Sequence, residues 1–310
     1  MKLKRIAGVV VGVAALSCCV GKPAKGAEAF DSFISPVSSF TNFEDPRSTT
    51  ELRPIFMFHQ LSDTFSVGDG GEAYLLALQA RVAITDRFSF IATKDGILWL
   101  QPNQEIEGAL EQESGLANLA FGLKYAIVHD AEANRIVTLG MRYEAPSGSS
   151  RVLQGKVFQI EGFDERGAGL LNPFISAGAM IEDFHVLGYA GFRAALDDVD
   201  SSFFDMSLHL DRPFGNFVPL IEVNWVQTID EGGRLPLGGE GFDVINLGST
   251  NSDGTGVVTS AVGARYRLAQ LDLCDIDLGA AVEFPLTDRE DIFNFRLTTD
   301  MIFRFNWSVN

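Results

Sequence analysis

Cysteine is almost absent from this chain: three residues in 310, with Cys18 and Cys19 inside an apolar N-terminal stretch and Cys274 alone in the rest. A single cysteine closes no intramolecular loop, so the fold is expected to be held by its backbone ladder and not by disulfides. Long apolar runs are missing too. Beyond the fifteen residues of 6–20, no segment approaches the roughly 20 that a spanning helix requires, which excludes a helical membrane protein. Positive charge is also short, with 24 Lys and Arg against 41 Asp and Glu for a net charge of −17. Nucleic acid is thereby excluded as a partner, since holding phosphates takes a basic face. His59, His129, His185 and His209 show no ligand spacing and have no cysteine partners, so no metal and no other cofactor is expected.

What is present at the N-terminus is an export pattern. Lys2, Lys4 and Arg5 precede the apolar stretch and Ala27-Glu28-Ala29 offers a peptidase site, so residues 1–29 read as a signal peptide. Leu16-Ser17-Cys18-Cys19 faintly matches a lipoprotein processing site, which leaves lipidation at Cys18 or Cys19 open. Removing 1–29 deletes five basic residues and one acidic, taking the net charge from −17 to −21. Residues 30–50 fit no strand. Phe30, Phe33, Phe40 and Phe43 are spread there among Ser, Pro, Thr and Asp, the pattern of an extended arm that is either loose or folded inward as a plug.

Residues 51–310 alternate. In 293–309, Phe293, Phe295, Leu297, Met301, Phe303, Phe305, Trp307 and Val309 share one face, against Asn294, Arg296, Thr298, Asp300, Arg304, Asn306 and Ser308 on the other. A period of two over seventeen residues is a strand and not an amphipathic helix. It is also longer than the roughly 9 to 11 residues that a tilted strand needs to cross a bilayer. The alternation recurs in about twelve segments, near 52–61, 73–84, 87–100, 115–128, 134–145, 172–182, 184–196, 201–210, 217–228, 256–269, 274–285 and 292–309. Short links at 85–87, 129–133, 183, 211–216 and 270–273 interleave with long ones at 62–72, 101–114, 146–172 and 229–255. This predicts an all-β fold: one antiparallel up-and-down transmembrane β-barrel of about twelve strands, with ten to fourteen left open, turns on the periplasmic rim and loops outside. Links 197–200 and 286–291 are short for the outer side. A soluble sandwich, which also alternates, is the competing fold.

If the apolar faces meet lipid, Arg81, Lys124, Arg142, Arg193, Arg265, Arg267, Arg296 and Arg304 line the lumen, with Glu144, Glu182, Asp205, Glu222, Asp277, Glu283 and Asp300. Such a lumen either favours anionic or carboxylate-bearing solutes or is filled by its own ion pairs. Gly122, Gly140, Gly178, Gly191, Gly263 and Gly279 on the same face leave room for a passage or for bulky neighbours. Asp205, Ser207 and His209 are the residue types of a hydrolytic triad, but same-face neighbours on a strand stand roughly 7 Å apart, too far for proton transfer. No catalytic residues are assigned. The segment 251–256 lacks the distal glutamate of a calcium loop and reads as a flexible external loop.

Gly115-Leu116-Ala117-Asn118-Leu119, Gly122-Leu123-Lys124-Tyr125 and Ala145-Pro146-Ser147-Gly148 resemble the outer-membrane barrel family associated with the meta-pathway of phenol degradation, and Ile84-Thr85-Asp86-Arg87-Phe88-Ser89 is similar to that family's first periplasmic turn. The resemblance implies a transporter of small organic molecules and brings no catalytic residues. Unlike most outer-membrane barrels the chain ends in Ser308-Val309-Asn310, so Phe305 and Trp307 are expected to serve in a shifted register. The expectation is a non-enzymatic channel in the outer membrane, with membrane lipid and a small solute as partners and the oligomeric state open. Its rivals are a filled structural barrel whose external loops bind a partner and a barrel-borne hydrolase built on Ser207 and His209.

Overall fold

The computed structural model describes residues 30, 32–63, 69–105, 112–148, 167–243 and 245–305. The expected signal peptide at 1–29, with Cys18 and Cys19, lies outside them, as do Trp307, Val309 and most of the link at 146–172. Fourteen strands follow in order: β1 (Glu51–Leu61), β2 (Gly71–Ala83), β3 (Phe88–Lys94), β4 (Ile97–Pro102), β5 (Glu113–Leu116), β6 (Leu119–Asp130), β7 (Arg135–Ala145), β8 (Leu170–Ile181), β9 (Phe184–Ala195), β10 (Ser202–Asp211), β11 (Phe217–Asp230), β12 (Gly256–Gln270), β13 (Cys274–Pro285) and β14 (Phe293–Phe305).

From β6 to β14 consecutive strands pair antiparallel, β3 joins β6 to β2, β2 pairs with β1, and β14 closes on β1. The result is a closed twelve-strand barrel with two extra strands. Those extras come from breaks in two segments that the alternation reads as continuous. β3 and β4 both pair with β2, separated by Asp95 and Gly96. Gly96 has φ 123°, where an added Cβ would stand 2.5 Å from the Leu76 carbonyl oxygen, so the chain bends there. Across the same bend β5 pairs with β4 and β6 with β3.

The side chains are inverted relative to a water-soluble fold, which overturns the sandwich alternative. Leu78, Leu123, Met141, Ile175, Leu208 and Val262 are exposed on the outer face. Aromatics gather towards both rims: Trp99, Phe192 and Phe284 on the side of the long links, Tyr125, Phe217 and Tyr266 on the side of the short ones. Closure pairs the edge strands and the outer face meets hydrocarbon, as in barrels of the outer membrane, where this protein belongs. β14 departs from its predicted face at one place. A register shift between Gln60 and Leu61 on β1 turns Phe293 inward, fully buried against His59 and Phe242, while Phe295 to Phe305 keep the alternation.

Residues 84–87, 131–134, 182–183, 212–216 and 271–273 form one rim of tight connections, and the longer links form the other. Glu182 belongs to this rim and not to the lumen: it is exposed in a turn at φ 56°.

Candidate functional site

The inner face is lined by long charged side chains that in an empty barrel would stand in water. Here they are buried, because two irregular segments fill the space. The first is the arm, whose residues 33–47 are almost continuously buried. It rises from the short-turn rim, where Phe33 stacks on His185 at 4.8 Å, to Thr41 near mid-barrel, and returns to the rim, where Ser48 donates to the Thr85 carbonyl at 2.6 Å. The second is the link 231–255 between β11 and β12, which folds back into the opposite mouth. Its Leu235, Ile245 and Leu247 pack in one cluster with Ile55, Met57, Leu75 and Leu98 of the wall and Phe40 of the arm. The turn at 251–256 stays at the surface, with Asn251, Asp253 and Gly254 exposed, while Ser252 is fully buried and its hydroxyl donates to the Ser249 carbonyl at 2.9 Å.

Wall cations grip the arm through its backbone. Arg267 donates to the carbonyl of Ser32 at 2.6 Å, Arg265 to that of Ser35 at 3.2 Å, and Arg53 to that of Pro36 at 2.7 Å. Arg142 holds the carbonyls of Thr41 and Asn42, both at 2.8 Å, and reaches Asn172 and Tyr189 of the wall at 2.8 Å each. Lys124 donates to the Asp45 carbonyl at 2.6 Å and Thr138 to the Pro46 carbonyl at 2.6 Å. Carbonyls of an irregular segment have no ladder partners, and each would be costly if buried unpaired. The arm is therefore threaded through the barrel by cations that supply the missing donors.

The carboxylates come from three sources. From the wall, Asp300 is shared by Arg265 (2.8 and 3.0 Å) and Arg53 (2.6 Å), Asp205 takes a forked pair from Arg193 (2.7 and 2.8 Å), and Glu144 accepts from Lys94 at 2.8 Å. Arg304 lies nearer the rim, 3.4 Å from Glu51 and 3.5 Å from Asp277. From the arm comes Glu44, between Arg81 and Lys124, and from the inward loop comes Asp243, 2.6 and 3.0 Å from Arg296. Arg53, Lys94, Glu44 and Asp243 are additions to the residues legible by parity. Arg53 shares its face with Ile55 and Met57, which disguises it, and Glu44 and Asp243 lie in segments without a period.

Ser207 and His209 do not form a catalytic pair. The two ring nitrogens of His209 are taken by Glu222 (2.7 Å) and Asp211 (2.9 Å), and Asp211 in turn holds His185 at 2.8 Å. Glu222 also accepts from the backbone of Val37 and Ser38 at 2.9 and 2.7 Å, so this relay anchors the arm. Nor do the inner glycines leave a passage. An added Cβ would meet the Phe174 ring at Gly140, Leu187 at Gly178, Tyr189 at Gly191, and Asp300 with Arg265 at Gly279. Two cavities beside the arm hold about 10 and 20 Å³ open to a water-sized sphere, the first lined by Phe40, Leu75 and Leu98, the second by Asn42, Arg142 and Arg193. Each has room for about one water.

At the outer mouth, three carboxyls are pushed towards protonation by burial. Glu240 sits among donors, the Ser201 hydroxyl at 2.6 Å and the amides of Ser249 and Leu247 at 2.8 and 3.0 Å, yet desolvation outweighs them and raises its pKa. Asp291 is raised to about 6 by burial, despite Arg289 at 2.7 Å. Asp200 is raised for the same reason, although Arg234 lies 2.5 Å away.

No protein-family model matches the chain, and no curated protein matches it in sequence. Solved structures do. An outer membrane channel from Pseudomonas putida F1 is similar over 88% of this chain and 100% of that one, at 13% identity and a TM-score of 0.54. The NanC porin is similar over 83% of this chain and 98% of that one (9% identity, TM-score 0.45), and the KdgM porin over 81% and 98% (12%, 0.43). The likeness to the Pseudomonas channel is one of fold, and that shared fold is the outer-membrane β-barrel.

Proposed function

We propose that this protein is an outer-membrane channel for small organic or anionic solutes, held closed by its own N-terminal arm and inward loop. One observation carries the reading: three of the wall cations draw compensation from carboxylates that do not belong to the wall. Arg81 and Lys124 share Glu44 of the arm, with Glu51 of the wall 3.1 Å from Arg81, and Arg296 takes Asp243 of the loop at 2.6 Å, nearer than Glu283 of the wall at 3.5 Å. Withdrawal of these inserts leaves Arg81, Lys124 and Arg296 with only Glu51 and Glu283 of the wall, an excess of positive charge that attracts anions. The fold shared with an outer membrane channel supports the reading, and the short sequence resemblance to the phenol meta-pathway barrels favours small organic molecules among the candidates. A permanently filled structural barrel would have the same fold, so the decisive property is whether the arm moves.

A lock tests this. Ser38 and Asn224 face each other across the arm–wall contact, with Asn224 Nδ2 donating to Ser38 Oγ at 2.9 Å. In a Cys274→Ser background, Ser38→Cys with Asn224→Cys permits a disulfide between arm and β11. In planar bilayers under a salt gradient, the oxidised protein should be silent and the reduced protein should open with anion selectivity. Equal conductance in both states, or none in the reduced form, refutes the gated channel.

A further inference from the structure

Glu44 is held in a way that the wall could offer to any carboxylate. Arg81 donates twice, Nε to Oε1 and Nη2 to Oε2, both at 2.8 Å, in the parallel fork that matches a planar carboxylate. Lys124 Nζ adds a third bond to Oε1 at 2.7 Å. The two cations stand on β2 and β6, separated by β3 in the ladder, so their spacing is set by the sheet and not by the arm. Both are about 2% exposed, which makes their charge strong and costly if left unpaired. The wall's own acid at this place is Glu51, 3.1 Å from Arg81 Nη1 and also 3.4 Å from Arg304. Arg304 is also 3.5 Å from Asp277, so Arg81, Lys124 and Arg304 together with Glu51 and Asp277 leave one net positive charge, which suits a monoanion better than a dianion.

From this geometry we infer that Arg81 and Lys124 form a binding seat for a small monocarboxylate in transit, and that Glu44 of the arm occupies the seat as an internal stand-in while the barrel is closed. A free carboxylate then competes with a tethered one. Entry of solute and release of the arm become a single exchange, in which no buried cation is left bare. This rests on the channel reading in taking the ligand to be the transported solute; the seat itself is a statement about Arg81 and Lys124.

The test uses the full mature chain folded in detergent, with benzoate as probe and benzamide as its neutral isostere, titrated by calorimetry. Glu44→Gln removes the competing charge, and benzoate should then half-saturate at a concentration at least about tenfold lower than for the unaltered protein, since a tethered group acts at millimolar effective concentration or above. Benzamide should not bind, and Glu44→Gln combined with Arg81→Met should abolish benzoate binding. Glu44→Ala carries the same comparison if Glu44→Gln does not fold. A folded Glu44 variant that takes up no benzoate, or takes up benzamide equally, overturns the seat. If that happens while the disulfide lock still controls conductance, the channel stands without the seat. Benzoate binding as described in a protein that never conducts upholds the seat and removes the channel.

Discussion

Asp291 shows how a single buried carboxyl makes the outer mouth sensitive to pH. Burial raises its pKa from 3.8 to about 6, so the folded state binds the proton more tightly than the unfolded chain does. The stabilisation this gives is complete below the unfolded value and is lost as pH rises through about 6. Asp291→Asn keeps the shape, and asparagine tolerates the local φ of 50°. At pH 8 the variant should be more stable than the unaltered protein by about 1 to 2 kcal/mol, a discounted share of the roughly 1.4 kcal/mol that each tenfold change in proton affinity represents. By pH 4 that advantage should be gone. Urea midpoints of both proteins at the two pH values decide it, and an advantage that does not change with pH would show that burial does not perturb this carboxyl. At this scale parity in the sequence is what assigns arginines to the inner face, because a strand's period of two leaves one choice of face. Their partners are another matter: nothing in the local pattern around Glu44 or Asp243 signals that these acids enter the barrel.

The strands are legible because each one separates lipid from interior residue by residue, and the lengths of the links betray the two rims. Where the alternation misleads, a local backbone event is responsible: the bend at Gly96, or the register shift that turns Phe293 inward. The arm has no such signature. Its aromatics are visible in the sequence, but whether they dock depends on rings supplied by distant strands, as His185 of β9 does for Phe33 and Tyr189 for Phe43. Phe33 is 1% exposed and clusters with Ile136, Phe174 and Leu187. Phe33→Ala should therefore loosen the arm by about 3 kcal/mol, the usual cost of truncating a buried phenylalanine. The peptide bond after Arg47, buried in the closed arm, then becomes more accessible to trypsin, by up to about a hundredfold if cleavage follows local opening. An unchanged rate of cleavage at Arg47 would mean that Phe33 does not hold the arm.

In the whole molecule the arm and the inward loop enter from opposite ends and meet. The Thr41 hydroxyl donates to the Asp243 carbonyl at 3.1 Å, and Phe40 shares a core with Leu235, Ile245 and Leu247. Two inserts in contact cannot be displaced independently, because whichever leaves first forfeits the shared surface and makes the second easier to remove. Such coupling is reciprocal. Phe242, at φ 60° and 5.1 Å from Phe293, anchors the loop to the wall. Phe242→Ala alters only the loop, yet it should raise tryptic cleavage after Arg47 in the arm, by about fivefold for a contact worth about 1 kcal/mol. Phe33→Ala should in turn expose the loop at Arg234, which is buried in the closed state and paired with Asp200. If each variant exposes only its own segment, the two inserts are separate plugs, and release of the arm would not by itself bring the loop out of the outer mouth. If each exposes both, the barrel has one gate made of two pieces of chain, and a ligand that displaces Glu44 loosens the whole of it.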